Sequence, residues 1–260
     1  MRFFFCKTRL VVHLLRGIWL IGVHFPRASQ EQRRALIRAW SLKMMRLCGL
    51  SLVVHHDDAR LDAGVMVVSN HVSWMDIFVI NAWCPTPFVS KAEVRRWPLV
   101  GWFARQLDTI FLQREKRSDA KRIMHELAGR LERDKRLCVF PEGTTSGGHV
   151  LQPFHTNLFQ APVTAGRPVQ PVCLMYEDAH GNQTLAPAYV DDVSLMQSLD
   201  AMLRAKPLTA HVYVGDALPS GDDRRILAKQ AEHAVREALQ GMQGREIQYV
   251  DTPQSGLYNV

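Results

Sequence analysis

From Leu50 onward the chain alternates between short apolar runs and amphipathic stretches, and that alternation sets the expected fold. Runs rich in β-branched residues and bounded by turn residues predict strands at 52–55, 65–69, 87–90, 109–112, 137–140, 169–176 and 209–214. Helical periodicity predicts helices at 74–83, 98–106, 119–133, 156–164, 195–206 and 222–243. In the third of these, Ile123, Leu127 and Leu131 form one stripe, with Lys121, Arg122, Arg130 and Arg133 elsewhere. Strand–helix alternation of this kind predicts an α/β domain: a mainly parallel sheet flanked by helices on both faces.

The first 49 residues follow another pattern. Positions 10–25 are strongly apolar, sixteen residues or about 24 Å of helix. A membrane span needs about 20 residues, and Arg16 at the bilayer centre would cost about 3 kcal/mol. A helix lying in the membrane interface is therefore favoured over a spanning one, with packing on the domain's own core as the alternative. Arg16 and the poor cleavage sequence Pro26-Arg27-Ala28-Ser29 argue against a secretory signal. Pro26 closes this helix, and Ser29 with Gln32 makes a capping box for a second. The second helix carries Leu36, Trp40, Met44 and Leu47 on one face and stops at Gly49. The expected organisation is a membrane-associating helical hairpin over 1–49, an α/β domain over 50–243 and a loose tail over 244–260.

Composition adds a direction. The 260 residues are 47% hydrophobic and 22% charged, which suits one domain with a full core. The net charge of +7 is concentrated: ten Lys and Arg face only Glu31 in the first fifty residues. Such a segment favours anionic lipid or nucleic acid, and the neighbouring Ile18, Trp19, Leu20 and Ile21 favour lipid, so no nucleic-acid partner is expected. The five cysteines are scattered without a Cys-x-x-Cys pair, which predicts reduced thiols and a cytosol-facing protein.

Two strand ends carry the candidate chemistry. Asn70-His71-Val72-Ser73-Trp74-Met75-Asp76 follows the apolar run 65–69. Residues five apart on a regular helix lie about 140° apart, so His71 and Asp76 meet only if His71 precedes the helix. Asn70 and Ser73 are good capping residues for that arrangement. A carboxylate on one ring nitrogen leaves the other free to take a proton from a hydroxyl, although taken alone such a histidine is more readily structural. The second cluster, Phe140-Pro141-Glu142-Gly143-Thr144-Thr145-Ser146, supplies N–H groups, hydroxyls and a carboxylate that can hold an anion or polar head group. A hydrolase with Ser73 or Ser146 as nucleophile would need an elbow such as Gly-x-Ser-x-Gly, which does not occur. His55-His56-Asp57-Asp58 reads as a solvated strand end and not a metal site, because adjacent strand residues point to opposite faces.

Together these blocks resemble the glycerophospholipid acyltransferases of the 1-acylglycerol-3-phosphate acyltransferase type. Asn70-His71 through Asp76 matches the family's Asn-His-x4-Asp block. Val89-Ser90-Lys91-Ala92-Glu93 with Pro98-Leu99-Val100-Gly101-Trp102 is similar to its lysine-bearing block and Pro-x-x-Gly turn, and Ile110 to Arg114 to its strand ending in arginine. Phe140 to Thr144 and Val169-Gln170-Pro171-Val172 match the last two blocks, in family order over about residues 65–175. The resemblance implies fatty acyl transfer from a coenzyme A or acyl-carrier-protein thioester to a lysolipid hydroxyl, with no cofactor and no metal. It implies His71 as general base and Asp76 as its orienting partner. Lys91 and Arg114 would hold the acceptor's phosphate, and Glu142, Gly143 and Thr144 would shape the head-group loop. The first acceptor implied is 1-acyl-sn-glycerol-3-phosphate, giving phosphatidic acid, at the cytoplasmic face of the inner membrane in a peripheral or monotopic attachment. One departure stands out: the family commonly has arginine where this chain has Thr145. Glu-Gly-Thr-Thr-Ser looks like the variant in relatives that acylate lyso-ornithine lipid. A non-catalytic membrane-binding module is the alternative from another class.

Overall fold

The structure, a computed structural model, describes residues 2–56, 63–112, 117–190, 192–244 and 248–249. Helices α1 (Arg2–Trp19) and α2 (Gln30–Cys48) precede strand β1 (Leu50–His55). Then come β2 (Met66–Ser69), α3 (Asp76–Trp83), β3 (Val89–Lys91), α4 (Val100–Gln106), β4 (Ile110–Leu112) and α5 (Arg117–Glu132). The second half holds β5 (Leu137–Val139), β6 (Val150–Leu151), α6 (Gln160–Ala165) and β7 (Val169–Glu177). It continues with α7 (Leu195–Ala205), β8 (Leu208–Val214), α8 (Arg224–Gln243) and β9 (Gln248–Tyr249). Most predicted strands and helices lie within two residues of the observed ones.

The central sheet has the order β1-β8-β7-β2-β5. Its pairings are parallel except β7 with β8. A bridge between Phe88 and Cys138 carries it on to the parallel pair β3-β4. Side-chain alternation sorts the core into two layers. Met66, Val68, Val139 and Cys173 point to one face, where they meet Ile123, Leu127 and Leu131 of α5 and Leu227, Ala231 and Val235 of α8. Val67, Cys138, Val172 and Leu174 point to the other, covered by α2, α3 and α7. A strand buried on both faces explains why β2 reads as a continuous apolar run and not an alternating one.

Gln248–Tyr249 of the predicted tail pairs with β6, and residues 245–247 and 250–260 lie outside the described residues.

The first helical segment packs one face on the domain and leaves the other exposed. The α1 segment runs on through a π turn, Leu20–His24, and a 3-10 turn, Phe25–Arg27, where Pro26 ends it. Leu10, His13, Ile21 and Phe25 are buried on one face. There Trp40 donates from Nε1 to the His13 carbonyl at 3.1 Å, and His13 Nε2 lies 3.0 Å from the Trp40 carbonyl. Gly17 is required at this crossing, since a Cβ would lie 2.8 Å from Trp40 Nε1. On the opposite face Phe5, Val12, Leu15, Trp19 and Val23 are exposed. The α2 helix has its capping box, Ser29 with Gln32, and ends on Gly49 at φ 80°. Its Met44, Met45 and Cys48 belong to the domain core.

Candidate active site

The parallel register sets His71 level with Glu142, because Val68 pairs with Val139 three residues earlier on each chain segment. Both residues leave the carboxyl ends of their strands, where sites form in open α/β sheets. His71 Nδ1 lies 2.8 Å from Asp76 Oδ2. A carboxylate only accepts, so Nδ1 carries a proton, and in the neutral ring Nε2 keeps its lone pair. Among the described residues no side chain or backbone group bonds Nε2, and the His71 side chain is 20% exposed. One ring face stacks on Phe140, with centroids 4.0 Å apart and planes 11° off parallel.

Asp76 is fully buried and held from every side. Its Oδ2 also accepts from the backbone N–H groups of Val72 at 2.7 Å and Ser73 at 2.9 Å. Its Oδ1 accepts from the Tyr176 hydroxyl. The carboxylate thus closes the first turn of α3 back onto the strand end, as the five-residue spacing required. Here the capping expectation needs correction. Asn70 caps nothing: its amide donates to the Leu174 carbonyl at 2.9 Å and accepts from the Leu174 N–H at 2.7 Å, extending the β2–β7 pairing by one residue. The helix starts at Asp76, two residues later than predicted, after Ser73 Oγ accepts from the Met75 N–H at 3.1 Å. Local capping rules do not see β7, about a hundred residues downstream.

Glu142 ties the second loop to the first. Its Oε1 accepts from the His71 N–H at 2.6 Å and its Oε2 from the Gln152 N–H at 2.9 Å. Burial pushes its carboxyl up to about 8, against these two donors and the Ser146 hydroxyl, which pull it down. The Ser146 N–H returns to the His71 carbonyl at 2.7 Å. Gly143 takes φ 70°, a left-handed turn that glycine adopts without strain, and Thr144 follows it half-buried. Thr145, at the departure from the family pattern, is half-buried and donates its hydroxyl to the Tyr189 carbonyl. Lys91 ends β3 half-buried, and the Phe88–Cys138 bridge sets it level with Pro141, on the same edge as His71. Arg114 lies outside the described residues. His55 does not form a cluster with its sequence neighbours: its Nε2 lies 2.9 Å from His211 Nδ1, and Asp57 and Asp58 lie outside the described residues.

Tyr176 and Gln152 were not read from the sequence as site residues. Tyr176 sits in an apolar strand and is level with Ser73 only through the β2–β7 register. No local motif announces it.

The family profile described as Acyltransferase matches residues 51–175. The chain is 39% identical over 211 residues to the lyso-ornithine lipid O-acyltransferase of Pseudomonas aeruginosa, covering 80% of each chain. The chain belongs to the acyltransferase family. This acyltransferase is also 38% identical over 179 residues to the 1-acyl-sn-glycerol-3-phosphate acyltransferase of Neisseria meningitidis serogroup B, covering 68% of this chain and 69% of that one. Its fold matches the crystal structure of the 1-acyl-sn-glycerophosphate acyltransferase of Thermotoga maritima with a TM-score of 0.65 at 21% identity, over 94% of this chain and all of that one.

Proposed function

We propose that this acyltransferase moves a fatty acyl group from a coenzyme A or acyl-carrier-protein thioester to the free hydroxyl of 1-acyl-sn-glycerol-3-phosphate, giving phosphatidic acid. The work is done at the cytoplasmic face of a membrane. The observation that carries the chemistry is His71, held through Nδ1 by Asp76 with Nε2 bare. Nε2 takes the proton of the acceptor hydroxyl as its oxygen attacks the thioester carbonyl. The tetrahedral adduct collapses with cleavage of the C–S bond, and the imidazolium returns the proton to the leaving thiolate. A base of this kind contributes about 10²- to 10⁴-fold. A thioester is already activated, so neither a metal nor a covalent enzyme intermediate is needed. Asp76 fixes the ring and stabilises the imidazolium while it lasts.

Lys91 supports a phosphate-bearing acceptor. It stands on the His71 edge two strands over, about 10 Å sideways at the usual strand spacing. Arg114, two residues past β4, is assigned to the same phosphate by the family pattern. A second reading, lyso-ornithine lipid, is favoured by Thr145. That position supplies a hydroxyl already donated to Tyr189 where a fixed cation would clamp a phosphomonoester. Purified enzyme with a radiolabelled acyl thioester and each acceptor in turn separates the readings. Phosphatidic acid as the faster product supports the first, and acylated ornithine lipid as the faster product replaces it with the second. Free fatty acid alone, or no product with either lipid, overturns acyl transfer to a lysolipid.

A further inference from the structure

At the opposite edge of the sheet from His71, a cleft of about 320 Å³ opens between the first turns of α2, the segment before β3 and the turn into β5. Arg33, Arg34, Lys135 and Arg136 line it, and among its described lining residues Asp108 is the one carboxylate. Arg136 precedes β5 and Glu142 follows it, so about 20 Å of extended chain separates this cleft from the site above. Two of the four cations also serve the fold. Arg33 donates from Nε to the Phe25 carbonyl at 2.9 Å, and Arg136 reaches Cys84 Sγ at 3.3 Å. Arg34 and Lys135 face the cleft from α2 and from the turn before β5. Lys135 lies 3.3 Å from the Gln30 amide oxygen, a weak hold.

The cleft does not stand alone. It shares Phe25, Ile37 and Leu107 with a shallow apolar groove of about 20 Å³ whose other walls include Leu20, Leu36 and Phe103. A cationic cavity bordered by apolar side chains fits the head group of an anionic amphiphile whose hydrocarbon stays outside the cleft. Phe25, common to both, ends the helical segment whose Trp19 and Val23 are exposed. That places the groove beside the face most suited to a bilayer.

We propose that this cleft forms an accessory site for the head group of an anionic phospholipid, its phosphate among Arg34, Lys135 and their neighbours. The site is separate from the acceptor site and takes no part in proton transfer. Full-length protein is floated with vesicles of phosphatidylcholine alone or of phosphatidylcholine doped with phosphatidylglycerol. The expected result is a preference for the doped vesicles that falls at least about tenfold in the double variant Arg34→Gln, Lys135→Gln. Arg225→Gln with Lys229→Gln removes two exposed cations from α8 and should leave the preference unchanged. An equal loss in both double variants would reduce the effect to diffuse surface charge and overturn the site. Inorganic phosphate, added at constant ionic strength, should not compete. If it abolishes the preference, the cleft is a free-phosphate site and the lipid assignment falls. Should the double variant lose its circular dichroism spectrum, Lys135→Gln alone carries the test, with a loss of about fivefold expected and an unchanged preference overturning it.

Discussion

At the His71 edge of the sheet, Asp76 is fully buried and accepts four hydrogen bonds, from His71, Val72, Ser73 and Tyr176. Along α1, by contrast, Phe5, Val12, Leu15, Trp19 and Val23 are between 42% and 61% exposed. The first region gains its geometry from bonds that only the folded chain supplies, and a single removed partner leaves the others strained or unpaired. The second holds one face to α2 through His13, Gly17 and Trp40 and leaves the other bare. Rigidity suits a base that must meet a hydroxyl within hydrogen-bond reach. A bare apolar stripe suits a surface that meets fluid lipid with no fixed partner.

Breaking the comparison at its join has the largest effect. The α2 helix forms a hairpin with α1, yet its Met44, Met45 and Cys48 are core residues. Losing two buried methionines costs about 4–10 kcal/mol, comparable with a domain's whole stability. A chain lacking residues 2–48 should therefore be insoluble; a soluble fragment with cooperative unfolding would show that the hairpin is a separate unit. Next comes His71→Ala, which should lower acyl transfer about 10²- to 10⁴-fold while the chain still folds cooperatively, its melting temperature lowered because buried Asp76 loses one of its donors. Substantial remaining turnover would remove His71 as the base. On the other side of the comparison, Leu15→Gln with Trp19→Gln should shift partition away from neutral vesicles about a hundredfold while leaving the fold intact. Unaltered partition would make the stripe an ordinary protein surface.

Tyr176→Phe is smaller and sharper. It removes one donor from Asp76 and changes no volume that matters to packing. A hydrogen bond to a charged group is worth about 1.5–3 kcal/mol, so kcat should fall at least about tenfold with the acceptor KM unchanged. A KM effect alone would place the hydroxyl with the substrate and not with Asp76.

What the sequence shows and hides follows the same division. Period and length reveal β2, β5 and α5, because Val67, Cys138 and Leu127 are apolar for reasons confined to their own elements. The His71–Asp76 contact is legible too, since both partners lie in one loop. Tyr176 is not, because its hydroxyl finds Asp76 only after β7 pairs with β2 in a register that no local pattern fixes. Asn70 fails for the same reason: a good capping residue locally, it pairs with Leu174 once the sheet forms. The double character of α1 is half-hidden. Its apolar run is plain, but which face meets Trp40 depends on the crossing at Gly17.

The smallest effect tests how tightly the two strand-end loops are locked together. Burial raises the Glu142 carboxyl from 4.5 to about 8, so between those values the folded state holds a proton that the unfolded chain releases. With more protons bound to the native state, stability falls as pH rises through that window and levels off beyond it. The contribution is fully present below the unfolded value of 4.5 and lost as pH passes about 8. Other titrating groups share the same pH range, so the wild-type curve alone does not isolate Glu142. The difference from Glu142→Gln does, because glutamine does not titrate and the remaining groups cancel. Glutamine also turns an NH2 toward either the His71 or the Gln152 N–H, a pH-independent cost of about 1–3 kcal/mol. The wild-type advantage in melting temperature should therefore be largest at mildly acidic pH and shrink by a few degrees toward mildly alkaline pH. A constant advantage across that range would mean that the two N–H donors keep Glu142 ionised throughout, and that its hold on His71 is a charge-assisted bond at every pH.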